Sequence, residues 1–240
     1  MATWIAHLRI AERLLERLPG LDPAQFAIGS VAPDAGIPDE HWEKFEPPPE
    51  VTHFKRSHSV HKDIADLAFY RGYLQPVDPG DRQRFSFRLG YFFHLITDNL
   101  WTIRVGRPTH ERHAAQFAAD PKFIWEVKRD WYGLDHLYVR AHRDCLYWRV
   151  FLEAEPQDAE LDFLPPTALQ RQLKHIKAYY QLEDDEIREM MSRRKRYLTR
   201  LEMDRFVSEA IERLEEIERI LWPEHPNIEG VDSALELSVS

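Results

Sequence analysis

Cysteine occurs once, at Cys145, in a chain of 240 residues. A lone thiol excludes an internal disulfide and any zinc site built on paired cysteines, so a metal here would have to be held by His, Asp and Glu. Cys145 itself reads as a buried apolar residue. Glycine is scarce too, with nine in all, and no apolar run approaches the roughly 18 residues that a membrane-crossing helix needs. Positive charge is in deficit: 32 Lys and Arg against 41 Asp and Glu leave a formal net charge of −9. A broad nucleic-acid surface needs a basic stripe and an anionic bilayer attracts one, so neither is an expected partner. A small phosphoester substrate held through a metal is compatible with that charge. The first residues run straight into a charged amphipathic segment without the basic start and apolar core of a signal peptide, which makes the cytoplasm the expected location.

Hydrophobic residues make up 43% of the chain and aromatics 12%, enough to build a full aromatic core. The apolar residues recur at spacings of three and four rather than alternating, and this predicts an all-α fold. No linker divides the chain. Residues 1–222 are therefore expected as a single helical metal-binding domain and 223–240 as a polar, frayed tail.

Trp4, Leu8, Ala11, Leu14, Leu15 and Leu18 form one stripe of a first helix that Pro19 and Gly20 end. Asp22 and Pro23 are an N-cap and first-turn pair opening a short helix that stops at Ala32 and Pro33. Between Ala35 and Thr52, Gly36, Pro38 and the triple Pro47, Pro48, Pro49 predict a long loop, a plausible lid or substrate wall. Helical patterns follow over 60–74, 82–104, 110–119 with Thr109 as cap, 123–152 with Gly133 as an interruption, 166–180 and 185–222. The last of these carries an amphipathic stripe that could also supply a homodimer contact.

The chemistry concentrates first in residues 89–101, LGYFFHLITDNLW. His94 and Asp98 stand one helical turn apart in that apolar run, so imidazole and carboxylate point from one face into whatever the helix buries. A buried carboxylate needs compensation, and a divalent cation supplies it. Alone, the pair reads more readily as a histidine bonded to an aspartate that also meets a Lys or Arg. Other donors stand at apolar-flanked positions: His7 beside the first stripe, Asp34 directly after Pro33, and His53 in the tripeptide Thr52, His53, Phe54. Each has a plain alternative. His7 reads also as a helix-edge residue, Asp34 as a turn cap, and His53 as a loop histidine bonded to backbone. Asp130 is the best additional candidate, as a ligand near His7 or as a partner of the neighbouring cations. His58 and His61 read as loop residues or phosphate contacts, and Arg104 and Arg107 as phosphate grips or helix-end caps.

Taken in order, WIAH with Trp4 and His7, GSVAPD ending in Asp34, THF with His53 and GYFFHLITD with His94 and Asp98 resemble the zinc-dependent phospholipase C family, related to the helical S1/P1-type nucleases. The resemblance covers roughly the first 105 residues and implies a multi-helix bundle enclosing a metal cluster. It further implies that Asp34, His53, His94 and Asp98 hold one zinc, while Asp98 bridges to a second ion that His7 helps to hold. Two carboxylates offset a dication's charge and imidazoles suit zinc, with iron or manganese as alternatives. Two departures stand out. The family's mature chain starts at a tryptophan whose amino group is a ligand, whereas Trp4 is internal. Arg104 replaces the histidine that opens the third zinc site, and His110, Glu111, His113, Asp135 and His136 do not restore that pattern cleanly.

The expected activity is hydrolysis of a phosphoester, phosphodiester or phospholipid-like, by a metal-activated water, with Asp34 as ligand and proton acceptor and Asp98 as bridge. The alternative is a non-catalytic helical protein whose incomplete cluster stabilises it. A general HD-type phosphohydrolase ranks below both, since the contiguous His-Asp dipeptide is absent.

Overall fold

A computed structural model describes residues 1–40, 44–55, 64–157, 160–222 and 228–238. The fold is all-α. Its helices are α1 (Trp4–Arg17), α2 (Pro23–Gly29), α3 (Pro49–Thr52), α4 (Asp66–Phe69), α5 (Arg82–Trp101), α6 (Arg107–Arg112), α7 (Ala114–Ala119), α8 (Phe123–Ala141), α9 (Pro166–Tyr179), α10 (Asp185–Ser192) and α11 (Arg200–Leu221). The cap signatures operate as their chemistry requires. Asp22 accepts the Gln25 N–H at 2.9 Å, with Pro23 in the first turn of α2, and Thr3 caps α1.

Helix α5 is the axle of the molecule. From Ser86 to Trp101 every residue is buried, as a helix that is apolar on all sides must be. It is enclosed by α1, α2, α4 and α11, while α8 packs against α10. Below the site, Trp101 meets Trp131 and Phe206 edge-on at 5.1 and 4.9 Å, a geometry favoured by the ring quadrupoles. The approach of α2 to α5 is closer than side chains allow. A Cβ added to Gly29 would stand 2.0 Å from the Phe87 carbonyl oxygen, and one added to Gly90 would stand 2.4 Å from that of Phe26.

Several boundaries differ from the periodicity. The 35–52 loop contains a two-stranded ribbon, β1 (Ile37–Pro38) antiparallel to β2 (Phe45–Glu46), and a helical turn, α3, that begins at Pro49. Proline is tolerated in a first helical turn because its missing N–H has no intrahelical partner there. Gly133 does not interrupt α8. It lets α10 close in, since a Cβ there would meet the Met190 carbonyl oxygen at 2.3 Å. The break falls after Ala141, and a wide helical turn spans Tyr147–Phe151. Thr109 lies inside α6 rather than capping a helix, and His113 separates α6 from α7. The pattern over 185–222 is two helices, because Thr199 and Glu202 form a reciprocal capping box that starts α11 afresh. The beginning of the 60–74 pattern lies outside the described residues.

Residues 228–238, expected as frayed tail, are strapped to the body. Asp66, on the first turn of α4, accepts the Ser233 hydroxyl at 2.6 Å, the Ala234 N–H at 2.7 Å and the Asn99 side-chain amide at 2.9 Å. Arg213 of α11 donates to the carbonyls of Leu235 and Leu237 at 3.0 and 2.6 Å. Burial pushes the Asp66 carboxyl up to about 6, against the pull of those donors. An acid whose folded pKa lies above its unfolded 3.8 binds more protons when folded, so its contribution is full below that value and is lost as pH rises through the folded value. The stability difference between wild type and Asp66→Asn is accordingly expected to shrink as pH rises from about 4 through about 6, and to level off beyond. Urea denaturation across that range checks it. A difference that grows with pH would mean the carboxylate is held ionised.

Candidate metal centre

Four pieces of chain converge on one point. The N-terminal half of α1 brings His7. The turn after α2, Ala32–Asp34, brings Asp34. The residue that ends α3 is His53, and α5 brings His94 with Asp98 on the same face. His7, His53, His94 and Asp98 are all buried to within 2% of full burial, and the Asp34 side chain is 9% exposed.

Their ligand atoms face one another at separations longer than the usual hydrogen bond. His7 Nε2 lies 3.4 Å from Asp98 Oδ1. His53 Nε2 is 3.4 Å from Asp34 Oδ1, 3.4 Å from His94 Nε2 and 3.6 Å from Asp98 Oδ2. His94 Nε2 is 3.6 Å from Asp98 Oδ2. His7 Nε2, Asp34 Oδ1 and Asp98 Oδ2 are buried without a hydrogen-bond partner. Buried polar atoms in that condition are costly. Two donors bound to zinc at about 2.0–2.1 Å with a tetrahedral angle stand about 3.3 Å apart. The observed spacings are close to that separation, so the residues present fit a zinc ion.

The far side of each imidazole is fixed. His94 Nδ1 lies 2.9 Å from the Ser30 carbonyl oxygen, which can only accept, so Nδ1 carries a proton and Nε2 is the atom left to face a metal. His53 Nδ1 meets the Thr52 hydroxyl at 3.0 Å, and the Thr52 carbonyl accepts the Tyr91 hydroxyl at 2.6 Å. His7 stacks on His94 with ring centroids 3.9 Å apart and 9° between planes.

Two groups of three could each hold an ion: His7, His94 and Asp98, and Asp34, His53 and His94. Both call on the single free nitrogen of His94, which can serve one ion only. Asp98 has two oxygens, one toward His7 and one toward His53 and His94, and can serve both. Its Oδ1 also accepts the Ala2 backbone N–H at 2.6 Å.

The electrostatics prepare most of these groups for a cation. Burial lowers His7 to about 4, assisted by His94, and burial also lowers His53, so both imidazoles are neutral near pH 7. Burial pushes Asp34 and Asp98 the other way, but the surrounding positive groups and donors outweigh it and both stay ionised. His94 is the exception: burial works against its proton, yet the Asp98 charge wins and raises it. Metal uptake competes with that proton.

A cavity of about 460 Å³ adjoins the cluster through Asp34. Aromatic side chains dominate its wall, among them Trp4, Phe45, Trp125, Tyr132 and Tyr179, with Lys128 as a cationic member. Lys128 Nζ lies 4.7 Å from the centre of the Trp125 ring. Pro33, Gly36, Pro47 and Pro49 also line it, so the proline-rich segment is a wall of the cavity.

The remaining sequence candidates lie elsewhere. Asp130 belongs to neither group of three. Its buried carboxylate accepts the backbone N–H groups of Arg196 and Tyr197 at 2.5 and 2.8 Å, with Arg193 Nε at 3.2 Å, and so secures the link between α10 and α11. Asp135 accepts the hydroxyls of Thr3 and Tyr180, His136 meets Arg140, and Arg104 pairs with Glu209 of α11. His110 stacks on Phe117, and His113 meets Tyr197 edge-on. No third group of ligands forms among the described residues. His58 and His61 lie outside the described residues. Sequence reasoning did not reach Thr52, the Ser30 carbonyl or the Trp4 indole, which donates to Asp34 Oδ2 at 2.9 Å. Thr52 and Trp4 do stand within the motifs that carried the resemblance.

No curated protein and no solved structure matches the chain. A family model described as zinc dependent phospholipase C does match, over residues 6–132. That span takes in His7, Asp34, His53, His94 and Asp98 and covers more than half of the sequence: the chain belongs to the zinc-dependent phospholipase C family.

Proposed function

We propose that the protein is a zinc-dependent hydrolase of phosphoester bonds, acting on a phosphodiester or phospholipid-like substrate in the cavity beside Asp34. The observation that carries this reading is the convergence of the ligand atoms at 3.4–3.6 Å, with His7 Nε2, Asp34 Oδ1 and Asp98 Oδ2 buried and without a hydrogen-bond partner. Asp34 Oδ1, His53 Nε2, His94 Nε2 and Asp98 Oδ2 would hold one ion. His7 Nε2 and Asp98 Oδ1 would hold a second more weakly, since only two protein donors converge there. Bound zinc supplies Lewis acidity and lowers the pKa of water to near neutrality, chemistry that iron or manganese on the same donors would share.

The chain's own groups supply the rest. Asp34, on the cavity wall, is placed to accept a proton as well as to ligate. Asp98 faces two imidazoles with one oxygen and His7 with the other. Lys128 offers positive charge to a phosphate, and the aromatic wall takes the apolar part of the ester while excluding water.

Elemental analysis of protein reconstituted with zinc tests the metal, and bis(p-nitrophenyl) phosphate together with phosphatidylcholine in micelles tests the reaction. At least one tightly bound ion per chain and turnover of one of these esters are expected. A protein that binds no stoichiometric divalent ion refutes the reading. Metal without turnover favours a second reading, a metal-binding protein without catalysis, which the sparse donor set of the second position supports.

A further inference from the structure

We infer that Trp4 is a positioning residue: its indole N–H holds Asp34 so that one chosen carboxylate oxygen, Oδ1, is presented to the ion. The inference rests on the reading of Asp34 as a ligand and adds to it a residue on a different element.

The two oxygens of Asp34 have opposite surroundings. Oδ2 accepts the Trp4 Nε1–H at 2.9 Å. Oδ1 has no hydrogen-bond partner and stands 3.4 Å from His53 Nε2. A carboxylate turns about its last torsion in a broad, roughly two-fold well, so an Asp34 without that donor could offer either oxygen or both. The donor removes the choice. Hydrogen bonds from neutral N–H to carboxylate are charge-assisted and among the stronger ones.

The indole cannot follow a moving carboxylate, because it is itself fixed. Trp4 is the first residue of α1, behind the Thr3 cap. Its ring meets His175, Tyr179 and Tyr180 edge-on at 5.6, 6.0 and 6.3 Å. Tyr180 is tied in turn to Asp135, which also accepts the Thr3 hydroxyl, so the backbone before Trp4 and the rings around it share one anchor. Trp4 lines the cavity as well. The same ring therefore walls the substrate space and sets the orientation of a carboxylate at its edge.

Trp4→Phe keeps an aromatic ring and deletes the N–H. Zinc affinity, read by chelator competition, is expected to fall about 10- to 100-fold, the usual effect of removing a partner that orients a metal ligand. In an Asp34→Ala background the same substitution is expected to change affinity no further, which separates positioning from general support of the fold. Unchanged affinity in Trp4→Phe overturns the inference, as does an equal loss in both backgrounds. A metal-free measurement stands beside these: the Trp4 indole ¹⁵N–¹H signal, identified by its loss in Trp4→Phe, is expected to shift in Asp34→Asn, and no shift overturns the contact. Wild-type protein that binds no zinc would refute the metal reading and this role together. Zinc bound normally by Trp4→Phe would refute only the role of Trp4.

Discussion

His94→Ala is expected to remove most of the stabilisation that zinc gives the protein. His94 is the member common to both candidate ligand groups, and its Nε2 is oriented by the bond from Nδ1 to the Ser30 carbonyl. Structural zinc sites gain about 10–16 kcal/mol from four ligands, so one lost ligand costs roughly 3 kcal/mol, about 100-fold in affinity. The effect on unfolding follows from mass action. At a zinc concentration 100 times the wild-type Kd, binding adds about 2.7 kcal/mol to stability, and a Kd weakened 100-fold leaves about 0.4 kcal/mol. Thermal denaturation with and without zinc, on wild type and variant, reads the difference directly. A variant that zinc stabilises as much as wild type would place the ion elsewhere.

Gly90→Ala is expected to damage both the fold and the site. Two effects oppose each other. Alanine in a helix interior is favoured over glycine by about 1 kcal/mol. Against that, the new Cβ would lie 2.4 Å from the Phe26 carbonyl oxygen and 3.0 Å from the Ser30 nitrogen. Both are backbone atoms, which cannot swing aside as a side chain can. Overpacking costs about 1–3 kcal/mol where side chains can adjust, and a backbone clash at this distance exceeds that range. The clash wins, and a net loss of about 2 kcal/mol or more is expected, a fall in Tm of roughly 4–8 °C for a chain of this size. The displaced helix is the one that carries Ser30 and leads into the Asp34 turn, so zinc affinity should fall as well. Thermal melts and chelator competition on the same variant measure the two losses. A variant at least as stable as wild type would show that α2 and α5 are not pressed together at this point.

The readable part of this chain was what local chemistry determines. Asp22 before Pro23 marked the start of α2, and the apolar stretch around His94 marked a helix that turns His94 and Asp98 inward from one face. The five donors of the cluster were legible because their flanking motifs resembled a known family in order as well as in kind. What failed was whatever depends on contacts between distant segments. Gly133 looked like a break in a helix because nothing in its neighbourhood shows that α10 comes within reach of its backbone. Thr199 and Glu202 carried the spacing of a capping box, yet the apolar period ran so evenly across them that one long helix was the natural reading. Asp130 had the residue type of a ligand, and only the tertiary fold reveals that it serves the backbone of residues 196 and 197. The strap fails for the same reason, since Asp66 and Ser233 are 167 positions apart.

That strap touches the centre through one residue. Asn99, next to Asp98 on α5, accepts the Ile64 N–H with its side-chain oxygen, and its side-chain nitrogen donates to the Ile64 carbonyl, Asp66 and Ser233. Every residue of the cluster lies within the first 98 positions, and a ribosome releases them early. The turn of α5 that carries Asp98 gains this support only when residue 233 arrives. In the order of synthesis the cluster residues come first and their brace comes well after, so the segment that supplies them does not by itself hold the turn that presents Asp98.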